Sequence, residues 1–253
     1  MTADVLPGAE AWSATGTGSL GALCLHGFTG NPSSMRGVAE AFAAAGLHVE
    51  LPRLPGHGTA VDDMLGTRWD DWAGEADGAY RRLAERASTI VIAGLSMGGT
   101  LSLRVAADHP EVAGLVLVNP AAQPFAEELI DAVQAMVADG QELMPGIGED
   151  IADPDMTESA YSGTPLRPLL SFAVDGIAAV AELYPSMTAP MLLFTSRNDH
   201  VVDPASSDFL AEHYGGPVQR VMLDRSFHVA TQDYDRELIF AEAVAFAQKL
   251  SPA

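Results

Sequence analysis

Val91-Ile92-Ala93-Gly94-Leu95-Ser96-Met97-Gly98-Gly99 decides the reading of this chain. An apolar, β-branched run stops at a glycine, a serine follows within two residues, and a run free of helix-breaking proline begins at Met97. This predicts a strand over 89–93, a sharp turn at Ser96 and a helix over 97–108. Gly94 and Gly98 bracket the serine in a G-x-S-x-G pattern, which sets a serine on a strained strand-to-helix turn and lifts it clear of the sheet. The glycines are needed where strand and helix pass too closely for a β-carbon.

Working outward, the same alternation recurs. Apolar strands are expected at 22–25, 47–51, 115–118, 191–195 and 218–223. Helices are expected at 33–45 (stopped by Gly46), over 68–87 where Trp69, Trp72, Ala76, Tyr80 and Leu83 recur at helical spacing, and at 235–249. Strands that are apolar throughout and alternate with helices imply an α/β fold, a mostly parallel sheet covered by helices on both faces. Residues 120–188 break the rhythm. A crossover between parallel strands needs about a dozen residues, and this stretch is far longer, with helical patterns at 126–138 and 172–183 around a Pro/Gly-rich middle. We therefore expect a core formed by 1–119 and 189–253, with 120–188 inserted as a lid and a returning helix.

A serine hydroxyl is a weak nucleophile at neutral pH and requires a base, itself oriented by an acid. Of the seven histidines, His228 follows the last expected strand. Ligands of open α/β sheets gather outside the carboxyl ends of the strands, so His228 is the expected base. Asp199 follows the strand 191–195 and gives the order Ser96, Asp199, His228, the order of serine hydrolases with this elbow. Asp203 and Asp224 compete for the role. Asp203 precedes Pro204 and suits a helix cap, and Asp224 suits a loop-structuring role. Two backbone N–H groups should stabilise an oxyanion: that of Met97, after the serine, and that of Phe28, in the His26-Gly27-Phe28 loop after the first expected strand. His26 reads as a loop brace. A carboxylate nucleophile, as epoxide and haloalkane hydrolysis would need, is excluded by serine at 96.

Composition narrows the partners. The chain has 253 residues, 48% of them hydrophobic, and a formal net charge of −21, with one lysine and twelve arginines. Such a surface repels nucleic acid and anionic membranes. Residues 1–20 lack the basic and apolar regions of a signal peptide, and no apolar run approaches the ~18 residues of a transmembrane helix. A cytoplasmic protein without stable membrane insertion is the expectation. Cys24 is the single cysteine, so no intrachain disulfide can form; in an apolar strand it reads as a buried small hydrophobe.

The residues taken together resemble the α/β-hydrolase superfamily and, more narrowly, small bacterial monoacylglycerol lipases and carboxylesterases. The resemblance lies in LCLHGFTGNPSSMR (23–36), PRLPGHGT (52–59), GLSMGG (94–99), MPGIGEDI (144–151), SRNDHVV (196–202) and SFHVATQD (226–233). It implies a serine hydrolase of fatty-acid glycerol monoesters that needs no cofactor and no metal. Ser96, Asp199 and His228 fall on that family's triad positions and Phe28 and Met97 on its oxyanion positions. The resemblance also implies that Ile147 and Glu158 hold the glycerol end of a lipid ester; apart from it, Ile147 and its neighbours suggest that the lid can touch lipid aggregates transiently. A broad carboxylesterase or thioesterase shares the same residues, as would a slow ligand receptor built on the scaffold.

Overall fold

The computed structural model describes residues 3–146 and 149–251. Its centre is a seven-stranded sheet in the order β1-β3-β2-β4-β5-β8-β9. The six parallel strands are β2 (Leu20–Leu25), β3 (His48–Leu51), β4 (Thr89–Leu95), β5 (Gly114–Val118), β8 (Met191–Ser196) and β9 (Val218–Leu223). All six expected strands are present, within one or two residues at each end. The sequence reading did not anticipate β1 (Trp12–Ala14), which pairs antiparallel with β3 at the sheet edge. Three residues rich in Ser and Ala carry no periodic signal.

Alternation along the strands divides the core in two. In β4, Ile90 and Ile92 face one apolar layer, while Val91, Ala93 and Leu95 face the other. The first layer is closed by α3 (Trp69–Ala84), α4 (Met97–Asp108) and α8 (Ala205–His213), the second by α1 (Ser33–Ala44) and α9 (Arg236–Lys249). Trp69, Trp72 and Phe42 are fully buried there. Fully burying one large apolar side chain stabilises a fold by about 1.5–3 kcal/mol. Cys24 lies in the second layer, where burial pushes its thiol well above the ordinary range. A short α2 (Val61–Leu65) precedes α3.

Between β5 and β8 the chain forms α5 (Glu127–Ala138), a two-stranded hairpin of β6 (Leu143–Pro145) and β7 (Gly163–Pro165), and α6 (Leu166–Ser171). The helix runs on through a π-helical stretch, Phe172–Ala178, into α7 (Ala179–Ala181). Gly176 allows this stretch to lie on the indole of Trp69, with which a β-carbon would collide at 2.7 Å. Only Val133 of α5 is buried, so this helix lies at the surface of the molecule.

Candidate active site

Ser96 sits between β4 and α4 with φ 55° and ψ −119°, in a backbone region that non-glycine residues rarely occupy. The two motif glycines make this turn sterically feasible. A β-carbon on Gly98 would collide with the carbonyl of Leu25, and one on Gly94 with the carbonyl of Gly98. The turn is held from the next strand, because the N–H of Ser96 donates to the carbonyl of Val118 at 3.1 Å.

The loops after β8 and β9 bring Asp199 and His228 together. His228 Nδ1 lies 2.7 Å from Asp199 Oδ2, with both side chains buried. The other oxygen, Asp199 Oδ1, accepts the N–H groups of Val201 (2.9 Å) and Val202 (2.8 Å). With its carboxylate engaged this way, Asp199 favours the Nδ1–H tautomer and leaves Nε2 as the basic nitrogen. Ser96 and His228 line one cavity. Among the described residues no hydrogen bond closes the link between Ser96 Oγ and the ring, and such links commonly tighten only with substrate bound. Neither competitor meets the histidine in this way. Asp203 accepts the N–H of Ala205 at the start of α8, and Asp224 is exposed and paired with Arg197.

Several residues that hold this arrangement were not singled out by sequence reasoning. Asn119, also at positive φ (44°), follows β5. Its side chain donates to the carbonyl of His228 (2.8 Å) and accepts the N–H of Ser196 (2.7 Å). Asp233 is fully buried. Its carboxylate accepts the N–H groups of Phe227, Tyr234, Ala152 and Asp153 at 2.7–3.0 Å. Asp150 accepts the N–H groups of His200 and His228, both at 3.0 Å. A sequence signal existed for two of these aspartates: Asp150 lies in MPGIGEDI and Asp233 ends SFHVATQD. Nothing local told that a carboxylate there serves distant backbone.

The N–H of Met97 is among those that the first turn of any helix leaves without an internal partner. Among the described residues, no protein acceptor takes up the N–H of Phe28. Gly27 brings the Phe28 loop against the serine, since a β-carbon there would sit 3.4 Å from Ser96 Cβ. His26 braces this loop from beneath. Its Nε2 accepts the N–H of Leu54 at 3.2 Å, and burial keeps the ring neutral by lowering its pKa well below the usual value. His57, in edge contact with His26, is likewise lowered by burial, to about 4. A buried ring held neutral in this way suits bracing better than proton transfer.

The cavity above Ser96 has a volume of about 270 Å³. Phe28, Phe125, Leu169, Phe172 and Val202 give it apolar walls, and no Lys or Arg lines it among the described residues. Phe172, from the π-helical stretch, stacks on Phe28 with ring centroids 5.7 Å apart. Glu158 also lines the cavity. Burial raises its pKa to about 7, a shift partly opposed by His228. Its Oε1 faces Gly30, 3.5 Å from where a β-carbon there would lie. The segment carrying Glu158 is tied to the core. Asn31 donates to Ser159 Oγ at 3.0 Å, and the hydroxyl of Tyr161 donates to the carbonyl of Gly56 (2.8 Å) and accepts the N–H of Thr59 (3.0 Å). Ile147 lies outside the described residues.

A parallel sheet with a serine elbow, and a His–Asp pair on the loops after its last two strands, defines an α/β-hydrolase. The chain matches the family described as serine aminopeptidase, S33, over residues 22–235, and it belongs to that family. It is 41% identical over 249 residues to a thermostable monoacylglycerol lipase of Bacillus sp. (strain H-257), covering 97% of this chain and 96% of the relative. A carboxylesterase of Bacillus subtilis (strain 168) is 26% identical over 235 residues, with 92% and 94% covered. A solved structure from work on LipS and LipT, two metagenome-derived lipolytic enzymes, superposes with a TM-score of 0.91 at 40% identity, covering 97% of this chain and all of that one. The α/β-hydrolase fold expected from the sequence is thus borne out, as is the likeness to lipases and carboxylesterases. Among the described residues no helix is long and apolar enough to cross a membrane.

Proposed function

We propose that the protein is a serine esterase that cleaves monoacylglycerols to glycerol and free fatty acid through an acyl-enzyme on Ser96. The observation that carries this reading is the placing of Glu158. It is a largely buried carboxyl group on the wall of a mainly apolar cavity that also holds Ser96 and His228; the other carboxylate there, Asp203, is exposed and accepts the N–H of Ala205. Apolar walls suit a fatty chain. A carboxylate near the serine suits a neutral polyol, whose hydroxyls can donate to it, and disfavours an anionic headgroup. The 41% identical monoacylglycerol lipase supports the same substrate.

In this reading His228 Nε2 takes the proton of Ser96 as the hydroxyl oxygen attacks the ester carbonyl. The oxyanion is held by the N–H groups of Phe28 and Met97. Losing one such donor typically costs about 10²–10³ in rate. His228 then returns the proton to the departing glycerol oxygen. Water, deprotonated by the same ring, releases the fatty acid and regenerates the serine. Asp199 orients the imidazole and stabilises its protonated form. Residues 120–188 serve as a lid over the core, Ile147 helps enclose the ester, and the lid touches lipid aggregates transiently. The protein acts in the cytoplasm and needs neither a cofactor nor a metal.

The test compares a 1-monoacylglycerol with the ethyl ester and the thioester of the same acyl chain, in the parent protein and in Glu158→Ala. The parent should prefer the glycerol ester. Glu158→Ala should lower kcat/KM for it by about tenfold, the value of one lost charge-assisted hydrogen bond of 1.5–3 kcal/mol discounted for partial solvent access. The ethyl ester should change little. Equal losses on both would remove the glycerol role and leave a broad carboxylesterase. Preference for the thioester would make it a thioesterase, and negligible turnover of all three a receptor. Raising the monoacylglycerol concentration through its aggregation threshold should give a step up in rate, and a smooth saturation curve would remove the lid contact.

A further inference from the structure

Of the groups that hold the catalytic loops, Asp150 is distinctive in origin and reach. It lies in the segment between β5 and β8, in the stretch that leads away from the β6 end of the hairpin. Its carboxylate bridges two loops of the core. Oδ2 accepts the N–H of His228 and the N–H of His200, each at 3.0 Å, and Oδ1 lies 2.8 Å from His200 Nδ1. The carbonyl of Asp150 also accepts the N–H of Val229 at 3.1 Å. One residue therefore grips His228 and its neighbour on one loop, and the neighbour of Asp199 on the other. The return grip comes from Asp233, which accepts the N–H groups of Ala152 and Asp153. Asp150 is 8% exposed, so a carboxylate removed there would leave two N–H groups without an acceptor in a largely dry place.

We propose that Asp150 is a positioning residue for the triad: its carboxylate fixes the separation of the Asp199 and His228 loops, and so sets the imidazole against Ser96, without touching substrate. The inference rests on the serine-hydrolase reading of Ser96, Asp199 and His228, but not on the identity of the ester. The functional element is the two-point acceptor and not the charge. An asparagine can present its carbonyl oxygen to both N–H groups and turn its NH2 toward the Nδ1 of the other His200 tautomer. The contact with the His200 ring is the dispensable part, because that side chain is 60% exposed.

The experiment measures kcat and KM on a short-chain p-nitrophenyl ester for Asp150→Ala, Asp150→Asn and His200→Ala, together with the low-field NMR resonance of the His228 Nδ1 proton. Asp150→Ala is expected to lose about 30- to 100-fold in kcat with KM within about threefold, the scale of a misplacement of about 1 Å at a catalytic group. Its low-field resonance should broaden or vanish. Asp150→Asn and His200→Ala should keep kcat within about fivefold, and should keep the resonance. If Asp150→Ala does not fold, Asp150→Glu replaces it. That variant keeps the charge, displaces the carboxylate by one methylene, and should lose about tenfold in kcat at near-parental Tm. Parental kcat in Asp150→Ala or Asp150→Glu would overturn the proposal, and so would an Asp150→Asn as impaired as Asp150→Ala. The underlying reading fails separately, if Ser96→Ala still turns the same ester over.

Discussion

Ser96→Ala is expected to fold normally and to lose about 10⁴- to 10⁶-fold in kcat, by analogy with serine knockouts in other triads. Removing Oγ deletes the atom proposed to form the acyl-enzyme and leaves the N–H groups of Phe28 and Met97 proposed to hold the oxyanion, so a small residual rate over water should remain. Structural cost should be slight, because no hydrogen bond among the described residues depends on Oγ and the turn is held through the Ser96 N–H. Ester turnover in crude preparations is the obvious contaminant, so the check is a purified variant with parental Tm, assayed beside labelling by a fluorophosphonate. The probe should mark the parent at Ser96 and leave the variant unlabelled. Near-parental hydrolysis by the variant would show that the chemistry lies elsewhere.

Asp199→Asn should come next in size, with a loss of about 10⁴-fold in kcat, because an amide at this place favours the wrong imidazole tautomer. The amide has one oxygen where the carboxylate has two. In the structure one oxygen serves the N–H groups of Val201 and Val202 while the other meets His228 Nδ1. If the amide oxygen stays with the two valine N–H groups, its NH2 must face Nδ1, which can then accept only as the tautomer with its proton on Nε2. Such a ring cannot take the proton of Ser96. Asp224→Asn is the control. Its carboxylate is 71% exposed and, among the described residues, pairs with Arg197 across the surface, and an exposed pair of this kind contributes about 0–1 kcal/mol. Activity should stay within twofold or so of the parent. A reversal of the two results would give the acid role to Asp224.

The parts of this protein that the sequence disclosed are those with a local signature. Apolar strands buried on both faces read as uninterrupted runs, so β2, β4, β5 and β8 were legible almost to the residue. Ser96 was legible because the elbow needs glycines at fixed offsets. Asp199 and His228 followed from chain order and from their places at strand ends. The illegible parts depend on tertiary partners. The strand β1 exists because β3 offers it an edge. The π-helical stretch leaves no mark in a run such as Phe172-Ala173-Val174-Asp175. Asp150 and Asp233 are ordinary acidic residues until folding brings backbone N–H groups from about 80 positions away to their oxygens. In a chain with 34 acidic residues, the motifs that contain Asp150 and Asp233 mark their segments but do not tell that their carboxylates accept distant backbone N–H groups.

The mutual grip between the segment at 150–153 and the loop carrying His228 also dictates where this molecule can be recombined. A graft of the whole region between β5 and β8 from a relative would exchange one half of that grip and leave the other behind, putting Asp233 opposite a foreign backbone. A chimaera cut before α5 and again ahead of Asp150 would instead transplant α5 and β6, whose donor strand would have to pair with the retained β7. Donor sequence on the far side of Asp153 would have to re-create the ties of Ser159 and Tyr161 to Asn31 and Gly56. The exchangeable module is therefore shorter than the topology diagram suggests.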